Sequence, residues 1–158
     1  MAYCDPSTHF LRDGRTLTLR PPDPSADAPT LLDAFLSVLA EDRFMNFAPE
    51  EAPFSVEEEE AWLIDRVESP CKLYMVACVE GLPVGGLGLE QSPFLRMRHT
   101  AKLGLFVAKG YRGLGIGTHL LRRVVAWATE DATLEKLGLE VFSGNVGAIR
   151  LYERLGFA

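Results

Sequence analysis

Gly110-Tyr111-Arg112-Gly113-Leu114-Gly115-Ile116-Gly117 stands between a run of β-formers and an amphipathic stretch, and its reading decides the fold. Glycines at alternate positions permit positive φ and let a ligand approach the backbone closely. From about Gly115 to Thr129 the apolar residues Ile116, Leu120, Val124 and Trp127 recur at helical spacing. The unpaired N–H groups of that helix's first turn point back into the loop, beside the positive end of the dipole. Lys109 and Arg112 add charge there. A strand-to-helix loop of this composition binds phosphate oxygens; its bland alternative is a turn whose glycines serve tight packing alone.

Two familiar phosphate loops are excluded by position. A P-loop ends in Gly-Lys followed by Ser or Thr, whereas Gly117 here is followed directly by Thr118. A dinucleotide fold places its glycines after the first strand. Here they follow at least four strands, with too little chain beyond Gly117 for a doubly wound sheet.

Working upstream, Thr100 to Val107 reads as the strand that feeds the loop. Lys72 to Val79 and Pro83 to Glu90 read as two further strands joined at Glu80-Gly81, so the three form an antiparallel meander. Ser55-Val56-Glu57-Glu58 is a capping box opening a helix through Trp62, Leu63 and Val67. The acidic run Glu57 to Glu60 suits that helix's positive end. Met45 to Phe54 reads as a loop. Asp27 is expected to cap an earlier helix with Pro29 in its first turn and Leu32, Phe35, Leu36 and Leu39 facing the core. Thr16 to Arg20 reads as the first strand. Downstream, Leu137 to Phe142 reads as a strand, and Asn145 caps a last helix with Ala148, Leu151, Tyr152 and Leu155 on one face. The pattern is one α/β domain over residues 1–158.

Composition narrows the function classes. A net charge of −6 argues against a nucleic-acid partner, which calls for a basic stripe. Cys4, Cys71 and Cys78 form no C-x-x-C pair, and His9, His99 and His119 do not cluster with them, so reduced thiols and no metal are expected. No signal peptide and no apolar run of the roughly 20 residues a membrane span needs is visible, and a soluble, cytoplasmic protein without membrane contact is expected.

Leu105-Phe106-Val107 followed by Arg112-Gly113-Leu114-Gly115-Ile116-Gly117 and Leu120-Leu121 resembles the acetyl-CoA motif of the GCN5-related N-acetyltransferase (GNAT) superfamily. Leu139-Glu140-Val141, Asn145, Ala148 and Leu151-Tyr152-Glu153-Arg154-Leu155-Gly156-Phe157 resemble its second signature. The resemblance implies a mixed, mostly antiparallel central sheet with helices on both faces, its strands splayed at the acetyl-CoA site. It also implies transfer of an acetyl group from acetyl-CoA to a primary amine, on a small molecule or a peptide or protein N-terminus, by direct attack. The alternative is a non-catalytic acyl-CoA-binding sensor or regulatory module.

Under that resemblance Arg112, Gly113, Leu114, Gly115, Ile116 and Gly117 hold the pyrophosphate. The backbone of Phe106 and Val107 pairs with the pantetheine arm, and Asn145 touches it while capping its helix. Tyr152 matches the acid that protonates the leaving thiolate, and a backbone N–H near Val107 would stabilise an oxyanion. Histone-modifying relatives carry a glutamate in the strand before the glycine loop, but here that stretch reads His99-Thr100-Ala101-Lys102-Leu103. Glu90 is therefore the candidate base, acting through a water with His99 behind it. The acceptor wall is expected between residues 26 and 96, where Phe44, Phe47, Trp62 and Phe94 are candidate lining residues. Relatives continue past Gly156-Phe157 with a pair of strands, whereas this sequence stops at Ala158. Further chain or a partner, a homodimer included, is expected to supply that edge.

Overall fold

The computed structural model describes residues 2–41 and 54–158. The loop expected over Met45 to Phe54, apart from Phe54 itself, and the candidate lining residues Phe44 and Phe47 lie outside the described residues. In chain order come strands β1 (Ser7–Phe10) and β2 (Thr16–Arg20), helices α1 (Pro24–Leu39) and α2 (Val56–Glu68), and strands β3 (Lys72–Val79), β4 (Leu82–Gln91) and β5 (Thr100–Val107). Helix α3 (Ile116–Glu130), strand β6 (Lys136–Leu139) and helix α4 (Val146–Arg154) follow.

The six strands form one sheet in sequential order, antiparallel throughout except for the parallel pair β5 and β6. Antiparallel neighbours need only short connections, and β3 and β4 are joined by Glu80-Gly81 alone, both at positive φ. The parallel pair needs a crossover, and α3 supplies it.

Side-chain alternation gives the sheet two apolar faces. On one, Leu17, Leu19, Leu73, Met75, Leu87 and Leu103 pack against Ile116, Leu120, Leu121 and Val124 of α3 and Tyr152 of α4. On the other, Tyr74, Val76 and Cys78 meet Ala28 and Leu31 of α1 and Leu63 of α2, with Phe106 packed alongside. Mixed, mostly antiparallel, with helices on both faces: the architecture expected from the sequence is the one observed.

Local differences have local causes. Helix α1 starts a turn earlier than expected, because Asp23 accepts from the Ala26 N–H and Pro24 takes the first helical position. Asp27 is instead buried, accepting two hydrogen bonds from Arg20 at 2.7 and 2.8 Å and one from the Asp23 N–H at 2.7 Å. Strand β1 was not foreseen; its burial alternates only between exposed and half-buried, so its apolar signal is faint. Strand β6 spans Lys136–Leu139 rather than Leu137 to Phe142, because its pairing with β5 stops at Leu103 and Leu139.

Candidate active site

The early end of that pairing creates the site. Beyond Leu103, strand β5 continues to Val107 with, among the described residues, a partner on the β4 side only. Ala108 donates to the Val84 carbonyl at 2.8 Å. Antiparallel bonds alternate, so Phe106 and Ala108 face β4 while the N–H groups of Leu105 and Val107 face the gap left by β6. Among the described residues neither of those two N–H groups has a hydrogen-bond partner. The Val107 carbonyl accepts from Arg112 Nε at 3.1 Å. The gap therefore exposes half of a β-ladder inside the molecule, in a form that an extended ligand can complete.

The glycine loop closes one end of this gap. Gly113 and Gly115 sit at φ +76° and +95°, and Gly115 is the residue before α3, with no described side chain capping the helix. The amides of the first turn thus remain available to an anion. A Cβ at Gly113 would meet no described residue within 4 Å, so among the described residues the loop lies open to the cleft. Asn145 closes the other side as the residue before α4, its carbonyl oxygen accepting from the Ala148 N–H at 3.3 Å.

Together these elements line a cleft of about 500 Å³ that includes Phe106, Val107, Arg112, Gly113, Gly115, Ile116, Gly117 and Asn145. Leu114 lies outside it, in an adjoining hollow of about 290 Å³ with Arg12, His119, Arg122 and Arg154. Each Arg112 guanidinium nitrogen makes one bond: Nη1 and Nη2 meet Glu41 at 2.7 and 2.6 Å, in addition to the bond from Nε. Its charge is largely answered by Glu41. Arg12 and Arg154, which line both cavities, were not singled out from the sequence. Arg12 belongs to the turn between β1 and β2 and reaches the Gly113 carbonyl at 3.4 Å. No local motif marks it, because the contact joins residues 101 apart in the chain.

The two candidate proton-transfer residues are not brought together. Tyr152, the buried residue of α4, joins the core packed on α3, edge-on to Phe157 at 6.1 Å; the cleft is lined by its neighbour Leu151 rather than by Tyr152 itself. Burial pushes its hydroxyl up, which keeps the proton on. Glu90 pairs in register with Lys102, whereas Gly85 pairs with the cleft residue Val107. The five-residue offset is about 17 Å of strand. The Glu90 carboxylate meets Arg66 at 3.0 Å, and His99 lies beyond it at the start of β5.

The acetyltransferase (GNAT) family model matches residues 34–157, which contain the diverging strands, the glycine turn and α4. The chain belongs to that family. It is similar to the L-amino acid N-acetyltransferase AaaT of Escherichia coli, 27% identical over 96 residues covering 61% of this chain and 59% of the relative. It is also similar to an N-alpha-acetyltransferase of Sulfurisphaera tokodaii, 34% identical over 64% of this chain and 58% of the relative. The matched segments thus span under two thirds of those relatives. Among solved structures, a GNAT-family acetyltransferase from Streptococcus pneumoniae superposes with a TM-score of 0.82 at 27% identity, over 90% of this chain and 84% of the other. The GNAT sheet, opened between β5 and β6, is therefore the frame within which the cleft is to be read. Among the described residues no helix is long and apolar enough to cross a membrane.

Proposed function

We propose that this GNAT chain transfers an acetyl group from acetyl-CoA to a primary amine on a small molecule or a peptide N-terminus. The observation that carries the reading is the single cleft holding both the unpaired half of β5 and the glycine turn at the start of α3. The first accepts an extended amide-bearing arm; the second accepts phosphate oxygens. Acetyl-CoA has both parts, and the open face of Gly113 leaves room for it. The bound coenzyme supplies the acetyl group as an activated thioester.

The chain's own residues then have distinct tasks. Leu105 and Val107 bind the arm through their backbone, and the amides of Ile116 and Gly117 bind phosphate oxygens. Arg12 and Arg154 supply the cationic rim that Arg112, held by Glu41, supplies less. Asn145 positions the start of α4, and Tyr152 Oη keeps a proton for the leaving group. The L-amino acid and N-alpha specificities of the two relatives are both amine acylations, which supports an amine acceptor here.

Isothermal titration with acetyl-CoA tests the binding half, and an amine panel with a free-thiol readout tests the transfer. Saturable binding, lost in Gly115→Glu, is expected. Tyr152→Phe is expected to lower turnover by roughly 10²-fold while acetyl-CoA affinity stays within about twofold. No binding by the intact chain would sink the reading.

A further inference from the structure

The inner face of α2 carries a row of side chains over β3, on the sheet face that also carries Phe106. Glu59, Leu63 and Arg66 follow one another at helical spacing, with Trp62 beside them. Leu63 is fully buried against the sheet. Arg66 is fixed at the far end, with its guanidinium over the Trp62 ring at 4.5 Å and paired with Glu90. Glu59 lies seven residues before Arg66, about 10 Å back along the helix axis. On β4 that distance is about three residues back from Glu90, at the level of Leu87 and Gly86. Gly86 pairs in register with Phe106, and Phe106 lines the cleft.

The surroundings of that spot are aromatic. Trp62 meets Tyr74 edge-on at 5.1 Å, and the Tyr74 ring lies over Gly86 and Gly88, its hydroxyl against Gly86. From α1, Phe35 meets Phe106 edge-on at 5.8 Å and Phe54 at 6.2 Å. Glu59 is half-buried beside this surface, and its carboxylate forms no hydrogen bond or ion pair with any described residue. Burial pushes its carboxyl up; burial first, and the Glu59 charge after it, push the Tyr74 hydroxyl up, as expected for close neighbours. Glu90 is by contrast exposed and occupied by Arg66.

We propose that Glu59 binds the acceptor's ammonium group beside the Trp62–Tyr74 pair, on the sheet face that also carries Phe106, and receives one of its protons. An N–H bond of the ammonium breaks, the proton passes to a Glu59 carboxylate oxygen, and the nitrogen lone pair is freed. The half-exposed carboxyl then returns the proton to solvent. The aromatic surface adds cation–π and apolar contacts, so the acceptor class is a primary amine carried on an apolar or aromatic body. This inference rests on the transferase reading above and deepens it.

The test is calorimetric titration of phenethylamine at neutral pH into the full chain saturated with coenzyme A. Saturable binding is expected for the unaltered chain, at least tenfold weaker in Glu59→Gln and within about threefold in Glu59→Asp. Coenzyme A affinity, titrated alone, stays within twofold in both variants and reads the underlying proposal separately. 2-Phenylethanol, the same body without the charge, is expected to bind both forms equally. Equal phenethylamine affinity in the unaltered chain and Glu59→Gln, or no binding by the unaltered chain, overturns the assignment.

Discussion

Asp27 is 3% exposed and shares its two oxygens between Arg20 and the Asp23 amide. Burial alone would push its carboxyl up; the hydrogen bonds and the Arg20 charge outweigh it and hold the folded value below the ordinary one. A depressed carboxyl stabilises the fold fully above the unfolded value, near 4, and that stabilisation is lost as pH falls through the folded value. Asp27→Asn is expected to cost about 3 kcal/mol at pH 7, because it leaves Arg20 facing a neutral partner. Thermal unfolding checks this, and the gap between variant and unaltered chain should shrink towards pH 3. A gap that persists unchanged there would mean that shape, not charge, holds the pair. The sequence showed Asp27 near a helix start but not its burial, since the Arg20 contact depends on how β2 meets α1. Glu90 and Glu59 illustrate the same limit. Each is one carboxylate among 22 acidic residues, and only the register of β4 and the face of α2 separate them.

At the scale of elements, periodicity was informative wherever an element is buried on its own terms. Strands β3 and β5 have the ends their apolar runs imply, and the Ser55 and Asn145 caps accept from the Glu58 and Ala148 amides as their motifs imply. Glycines within a strand carried a meaning that pattern alone did not disclose. A Cβ at Gly86 would collide with the Tyr74 ring, and Tyr74 is itself buried against α2. Gly86→Ala therefore has to turn that ring away from β4. The expected cost is roughly 1–3 kcal/mol of stability, together with weaker amine binding if the aromatic surface receives the acceptor. Chemical denaturation of the variant measures the first, and the phenethylamine titration measures the second. An unchanged midpoint would show that the ring has another place to go.

The whole molecule is a sheet with two separately packed faces, and the cleft falls where one strand pair parts. The two family signatures made the glycine turn and α4 legible, because both rely on contiguous residues. Arg12 and Glu41 were not, since they meet the loop only after β1, β2 and α1 have folded over it. The parting of β5 and β6 has a further consequence, visible to solvent protons. Along β5 the amides alternate between bonded and unbonded, so deuterium uptake should follow a comb: fast at Leu105 and Val107, slow at Phe106 and Ala108. Acetyl-CoA should slow the fast teeth and leave the slow ones alone, in a residue-resolved exchange experiment. Uniform exchange without ligand would mean that the gap is closed in solution. A comb that fills on binding would give this strand a second use, as a resident amide-by-amide gauge of how far along the groove a ligand lies.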